Sequence, residues 1–478
     1  MWNKEKCFFQ AGFEKTSKLK KNVKLQPHQQ DVAEISKKVD ALLLYHMLGS
    51  GKTLSAINSV DDLPTDFVVP ASLRENARKE LKKFTTSNNV NVKSYHKFIK
   101  EPSEKEIEAL ILDEAHRIGN PSSQLSKSVI EAAPLYKKRL LLTGSPIRNH
   151  PSELAPLVKV LAPDSDIPLA KSSFEERFIE QVKQGPGLWG MLTGVKGGII
   201  DRPKNVDQIR RLIKDKVSFH ETSHDKYPTV IEKDIPVLMS KTQQDLYSKT
   251  MASVPRSVKY KIEHNLPLSK TERLHLNSYL NASRRVSNSV RTFGIDEDTP
   301  KMSRAIKDIK NTLREAPNAK TVSYSNYLQS GVRELARKLD QEGIPNAIFD
   351  GSLDDKSRKK IVDLYNSGKI KSLLISGAGS EGLDLKGTRL LQILEPHWHE
   401  SRTDQVKGRA IRYMSHADLP PKERKVEVRN YMSVLPRKFF GLKDSDISTD
   451  QFLRNMGKKK TELNKQFLDI LKEEGQRV

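Results

Sequence analysis

The stretch from Ala41 to Thr53 constrains this chain more than any other. Ala41-Leu42-Leu43-Leu44-Tyr45 is an unbroken apolar run, long enough for a buried strand and too short for a buried helix. It leads into His46-Met47-Leu48-Gly49-Ser50-Gly51-Lys52-Thr53. A strand apolar on both faces belongs to a parallel sheet, and ligands bind at the carboxyl ends of such strands. Gly49 and Gly51 let the backbone curl so that successive N–H groups aim into one concavity. This is a phosphate-binding loop, in which Lys52 reaches the β- and γ-phosphates and Thr53 offers its hydroxyl to Mg²⁺. One departure stands out: His46 occupies the position of the first consensus glycine. A Gly-rich turn with an incidental lysine would share these letters, so the reading needs a second motif.

That motif follows at Leu110-Ile111-Leu112-Asp113-Glu114-Ala115-His116. An acid at a strand tip can hold Mg²⁺, and its neighbour Glu114 can orient an attacking water. Alone, the four residues could be a helix start carrying favourable acids. Two such motifs in this order, each after an apolar strand, point to nucleotide hydrolysis with Lys52, Asp113 and Glu114 as catalytic residues.

The same alternation of short strands and helical patterns recurs along the chain. Val39–Tyr45, Phe67–Val69, Leu110–Leu112 and Leu140–Leu142 read as strands of a first α/β unit. Lys320–Ser323, Ala347–Phe349, Ser372–Ile375 and Leu390–Leu394 read as strands of a second. The expected organisation is residues 1–150 as a first lobe, 151–236 as an insertion on it, 237–300 as a basic helical linker, and 301–478 as a second lobe. Thr449–Val478 reads as a terminal pair of amphipathic helices. Within 185–198 the chain is rich in glycine.

With 83 Lys+Arg against 60 Asp+Glu, the chain carries a net charge of +23, which suits a polyanionic partner. Residues 249–291 alone hold Lys249, Arg256, Lys259, Lys261, Lys270, Arg273, Arg284, Arg285 and Arg291, against Glu263 and Glu272. They form either a solvated helical face or a phosphate-contacting segment, and Arg284 and Arg285 are the candidates for the latter. One cysteine, Cys7, excludes an internal disulfide and a thiolate zinc site and fits a reducing, intracellular compartment. No apolar run can span a bilayer, and Lys4-Glu5-Lys6 leads into no signal-type core, so no membrane role is expected. His397 and His399 beside Trp398 read as polar surface, leaving Mg²⁺ as the expected metal.

On these residues the chain resembles helicase superfamily two, and within it the Swi/Snf-type DNA-dependent ATPases. Leu25-Gln26-Pro27-His28-Gln29-Gln30 is similar to the motif upstream of the phosphate loop, with Gln29 as the implied adenine reader. Val68–Asn76 resembles the motif whose turn grips the nucleic-acid backbone, through Ser72 and Arg74, and Ser94 is expected nearby. Thr143-Gly144-Ser145-Pro146 resembles the motif that couples hydrolysis to movement, and Thr143 is expected at the nucleic-acid backbone together with Ser72 and Ser94. Gly379–Leu385 resembles the fifth motif, which implies Ser380 at the nucleic acid and Gly382 and Asp384 at the nucleotide. Asp350-Gly351-Ser352 supplies further expected backbone contacts. Arg402, Gln405, Arg409 and Arg412 recur at spacings of three and four, which puts them on one helical stripe. Arg409 and Arg412 are then the implied arginine fingers, and Gln405 positions nucleotide or water.

The resemblance implies two RecA-like parallel-sheet lobes in tandem with helical insertions, with ATP and Mg²⁺ held by Gly49, Ser50, Gly51, Lys52, Thr53 and Asp113. His46, Glu381–Lys386 and Glu395-Pro396-His397-Trp398 resemble the branch found in large cytoplasmic DNA viruses, which includes the poxvirus nucleoside triphosphate phosphohydrolase and early-transcription-factor ATPase. That branch implies action in the host cytoplasm or a virion, on double-stranded DNA, with an RNA polymerase or other protein as recruiter. Both halves of the ATP site lie in one chain, so a monomer suffices. The alternatives are a strand-separating DNA or RNA helicase in repair, recombination or replication, and a binding module with a relic nucleotide fold.

Overall fold

The computed structural model describes residues 19–20, 23–47, 49–60, 63–86, 89–101, 107–184, 198–221, 227–263, 265–266, 268–316, 318–377, 383–397, 400–412, 414–436 and 447–478. The chain divides into two compact units, residues 1–222 with 466–478, and residues 223–465. The Gly-rich stretch up to residue 197 lies outside the described residues, as do Ser380 and Gly382.

In the first unit the apolar runs become β1 (Ala41–His46), β2 (Thr65–Val69), β3 (Val90–Ser94), β4 (Ala109–Asp113) and β5 (Lys138–Thr143). An antiparallel ribbon follows, β6 (Ile179–Gln184) with β7 (Gly198–Pro203), and then β8 (Val217–His220). The main sheet runs Gln476–Arg477, β8, β1, β5, β4, β2, β3, with every neighbour parallel. Burial on both faces explains why β1 and β5 read as continuous apolar runs rather than as alternation. Leu42, Leu44, Ile111 and Leu140 are fully buried, and Val32 and Ile57 pack on them from the helices α1 (Pro27–Lys38) and α2 (Lys52–Val60).

The second unit has its own six-stranded parallel sheet: β9 (Thr229–Leu238), β10 (Lys320–Ser325), β11 (Asn346–Phe349), β12 (Ser372–Ser376), β13 (Thr388–Ile393) and β14 (Lys425–Val434). Their order is β11-β12-β10-β13-β14-β9. One face buries Val322, Leu373 and Leu391, and the other buries Leu374, Leu390 and Ile309. Helices Lys241–Ala252, Arg256–Glu263 and Leu276–Asn288 form a separate apolar cluster around Tyr247, Ile262 and Leu280. Two tandem parallel α/β units with helical insertions are thus what the sequence pattern led us to expect.

Two local features differ from the sequence reading. The terminal segment is one continuous helix, Thr449–Glu474, rather than a pair. Gly457 looks like a break, but a glycine costs a helix only about 1 kcal/mol, and the buried Leu453, Leu463 and Phe467 outweigh it. The expected boundary at residue 236 falls within β9, which is the edge strand of the second sheet. Among the described residues no helix is long and apolar enough to cross a membrane.

Candidate active site

Three sequence motifs end three neighbouring strands. In the first sheet β5 lies between β1 and β4, with Tyr45 opposite Thr143 and Asp113 opposite Leu142. The loop after β1, the Asp113-Glu114 pair and the Thr143-Gly144-Ser145 turn therefore share one edge, the carboxyl edge where ligands bind.

The loop is built as a phosphate cradle. Gly49 and Gly51 have φ of 85° and 75°, values a side chain would strain. Lys52 opens α2, and its Nζ donates to the carbonyls of His46 at 2.9 Å and Met47 at 3.1 Å. Burial lowers the Lys52 pKa, and the nearby carboxylates of Glu114 and Asp113 oppose that shift. The hydroxyl of Ser50 is buried without a partner. The Thr53 hydroxyl has none among the described residues either. Two left-handed glycines, an orphaned hydroxyl, a free hydroxyl and a central ammonium fit a magnesium-bound triphosphate.

Gln29 packs directly on this loop. Its Oε1 accepts the N–H of Gln26 at 2.9 Å, and its Nε2 lies 3.4 Å from the carbonyls of Ser50 and Gly51. A Cβ on Gly51 would come within 2.4 Å of that nitrogen, so position 51 requires glycine for space as well as for φ.

Across the sheet edge, burial and the adjacent Glu114 push the Asp113 carboxyl up to about 6. Glu114 sits in the left-handed region with φ of 53°, an uncommon backbone state for a non-glycine residue and one that clusters at functional sites. His116 joins the second motif to the third. Its Nδ1 lies 3.3 Å from the Glu114 carboxylate and 3.0 Å from the Thr143 hydroxyl, and that hydroxyl accepts the Ser145 N–H at 3.1 Å. Burial, with help from Arg148 and Arg117, lowers His116 to about 3, so the imidazole is neutral.

The remaining expected residues are distributed over both units. Ser72 and Arg74 are exposed after β2, and Ser94 ends β3, where its hydroxyl caps the next helix by accepting Lys97 N–H at 3.2 Å. In the second unit Gly351 and Ser352 are exposed in a turn held by Asp350. Gln405 is exposed and Arg409 half-buried on helix Glu400–Ala410, while Arg412 Nη1 donates to Asp384 Oδ1 at 3.2 Å. Arg285 is half-buried with its guanidinium 5.3 Å over the Phe293 ring.

Two expected nucleic-acid contacts need correction. Thr143 is fully buried, and its hydroxyl serves His116 and Ser145. Arg284 is 3 % exposed, donates to the Pro396 carbonyl at 2.9 Å, and lies over the Tyr327 ring. Neither side chain faces a phosphate backbone from there. The basic count in 249–291 could not separate Arg284 from its exposed neighbours, because charge does not report burial. Sequence reasoning also missed His28 and His220, which stack beside the loop with ring centroids 3.8 Å apart. His28 stood in a recognised motif, whereas nothing near His220 marked it.

Comparison with known proteins agrees with this geometry. Residues 32–297 match the SNF2-related domain, and residues 304–414 match the helicase conserved C-terminal domain. An Acanthamoeba polyphaga mimivirus protein named as an ATP-dependent RNA helicase is 32% identical over 94% of this chain and 96% of its own. A termination factor NPH-I homolog of African swine fever virus is 25% identical over 90% of this chain and 75% of its own. The Pyrococcus furiosus Hef helicase domain shares the fold, with a TM-score of 0.51 and 14% identity over 88% of this chain and 96% of that one.

Proposed function

This chain belongs to the SNF2-related family of helicase-type ATPases, and from that premise we propose that it is an ATP-driven motor translocating along double-stranded DNA. The observation that carries the proposal is the row of Lys52, Asp113-Glu114 and Thr143 at the carboxyl ends of three neighbouring strands, with His116 joining the last two. Lys52 and the N–H groups around Gly49 and Gly51 hold the triphosphate, and Glu114 orients the attacking water. Thr53 and Asp113 would hold Mg²⁺, which would supply neutralisation of phosphate charge. Arg409 and Arg412 stabilise charge on the transferred phosphoryl group, and Gln405 orients nucleotide or water. Loss of the γ-phosphate changes what Glu114 faces, and His116 passes that change to the Thr143 turn.

Ser72 and Arg74 in one unit and Gly351 and Ser352 in the other contact the phosphate backbone. Such contacts carry no sequence information, so a partner protein must choose the site of action. Kinship with a viral termination factor homolog supports a role in transcription in the host cytoplasm, with an RNA polymerase or similar complex as recruiter. The mimivirus relative's name favours a second reading, a strand-separating RNA helicase.

Two substrates separate these readings. A translocase displaces a third strand from a DNA triplex and leaves a forked duplex intact. Separation of a forked RNA or DNA duplex, with no triplex displacement, would replace the first reading with the second.

A further inference from the structure

Three histidines stand behind the phosphate loop. His28 Nε2 lies 2.8 Å from the Ser50 carbonyl, which as an acceptor requires the proton on that nitrogen. The His28 ring is stacked on His220, 3.8 Å between centroids and 12° from parallel. His46 is wholly buried at the mouth of the loop, with its Nε2 2.9 Å from the Ser218 hydroxyl on β8. Its ring is 5.6 Å from that of His220, directly across the β1–β8 ladder. Among the described residues no group of three or more His, Cys, Asp or Glu side chains could hold a metal ion, so the cluster has another purpose.

Peptide geometry supplies that purpose. In a planar trans peptide the C=O and the following N–H point in opposite directions. An imidazole gripping the Ser50 carbonyl from behind therefore turns the Gly51 N–H outward, into the cradle. The His46 carbonyl is likewise one of the two that receive the Lys52 ammonium. Fixing the His46 ring on Ser218 fixes that carbonyl. A glycine at position 46 would have no side chain with which to make this tether.

We propose that His28, His46 and His220 are positioning residues for the phosphate-binding loop, tying its curl to α1 and β8 so that its N–H groups and Lys52 are preset for a triphosphate. His28 is the grip, His220 fixes the plane of its ring, and His46 anchors the loop's first residue. Burial lowers the pKa of both His46 and His28, and the neutral His28 ring still carries on Nε2 the N–H that it donates to the Ser50 carbonyl. The inference rests on reading this loop as the ATP site.

The test is steady-state ATP hydrolysis by the full chain, comparing His28→Ala, His28→Gln, His46→Gly and Lys52→Ala. Loss of one loop-orienting hydrogen bond should raise KM for ATP roughly fivefold to tenfold in His28→Ala, with kcat changed by less than about twofold. His28→Gln keeps an N–H donor and should recover most of the lost affinity. Restoring the consensus glycine in His46→Gly should raise KM rather than lower it. Should His46→Gly lose its cooperative melting transition, Ser218→Ala removes the same tether more gently and should raise KM in its place. Unchanged KM in both His28→Ala and Ser218→Ala would overturn the inference, as would equal KM values for His28→Ala and His28→Gln. Full turnover in Lys52→Ala would instead overturn the site assignment itself, so the two failures are distinguishable.

Discussion

His116 Nδ1 and the Thr143 hydroxyl are hydrogen-bonded at 3.0 Å, which ties the acidic end of β4 to the turn after β5. Because the imidazole also lies 3.3 Å from Glu114, one neutral ring touches both the residue proposed to orient water and the turn proposed to report on hydrolysis. Thr143→Val keeps the volume and removes the hydroxyl. The ratio of nucleic-acid-stimulated to basal ATP hydrolysis should fall about fivefold to tenfold, as expected for losing one buried hydrogen bond and leaving its partners unpaired. An unchanged ratio would mean that the ring is only structural.

Acid should destabilise this protein through its buried neutral histidines. Burial lowers His46 to about 2 and His116 to about 3, whereas the unfolded chain takes up these protons near the ordinary value of about 6.5. Their contribution is therefore complete above about pH 6.5 and is lost as pH falls toward the folded values. Each contributes a slope of about 1.4 kcal/mol per pH unit in that window. Asp113, raised to about 6, acts in the opposite sense, since the folded chain holds its proton longer. In His116→Gln the slope of unfolding free energy against pH, measured by denaturant titration between about pH 5.5 and 4, should be smaller by about 1.4 kcal/mol per unit. The same slope in both proteins would contradict a buried neutral His116.

The second unit depends on a buried ion pair. Lys301 and Asp450 side chains are both fully buried with Nζ 2.7 Å from Oδ2, and the ammonium also donates to Asn288 Oδ1 and the Leu394 carbonyl, each at 3.1 Å. Removing one partner strands the other charge, so Lys301→Ala should cost about 3–5 kcal/mol of stability. Replacing both, Lys301→Met with Asp450→Leu, should recover at least about half of that loss, because no charge is left unpaired. Thermal or denaturant melting reads both effects. A double variant no more stable than Lys301→Ala would show that the surrounding amide and hydroxyl groups matter more than the charges.

Lys52→Ala should reduce ATP turnover by at least about a hundredfold, the scale seen when one preorganised donor is removed from an active site. Duplex DNA affinity, measured without nucleotide, should change by less than about twofold, because Lys52 faces the cradle. Loss of DNA binding together with turnover would argue that the lysine holds the fold of the unit.

Much of this was legible in the sequence wherever neighbouring residues carried the signal. Leu42–Leu44, Leu110–Leu112 and Leu140–Leu142 are buried on both faces of a parallel sheet, which leaves an apolar run that cannot be mistaken for a half-exposed strand. Gly49 and Gly51 were legible because a phosphate cradle demands their backbone freedom. The strand Thr229–Leu238 was not, because as an edge strand it keeps most of its side chains exposed and shows no such run. Nor was the histidine cluster, since His46 meets Ser218 across 172 residues and only the pairing of β8 with β1 brings them together. The buried roles of Thr143 and Arg284 escaped for the same reason: a motif names a residue type, while its partners come from other strands.

Steady-state ATP hydrolysis by the full chain, without nucleic acid and then with double-stranded DNA, single-stranded DNA or RNA at matched phosphate concentration, separates a duplex-tracking motor from the alternatives. A duplex-tracking motor should hydrolyse ATP slowly alone and faster with double-stranded DNA than with either other polymer. Stimulation by RNA or single strands alone would contradict duplex translocation, and no hydrolysis with any of them would contradict the motor itself.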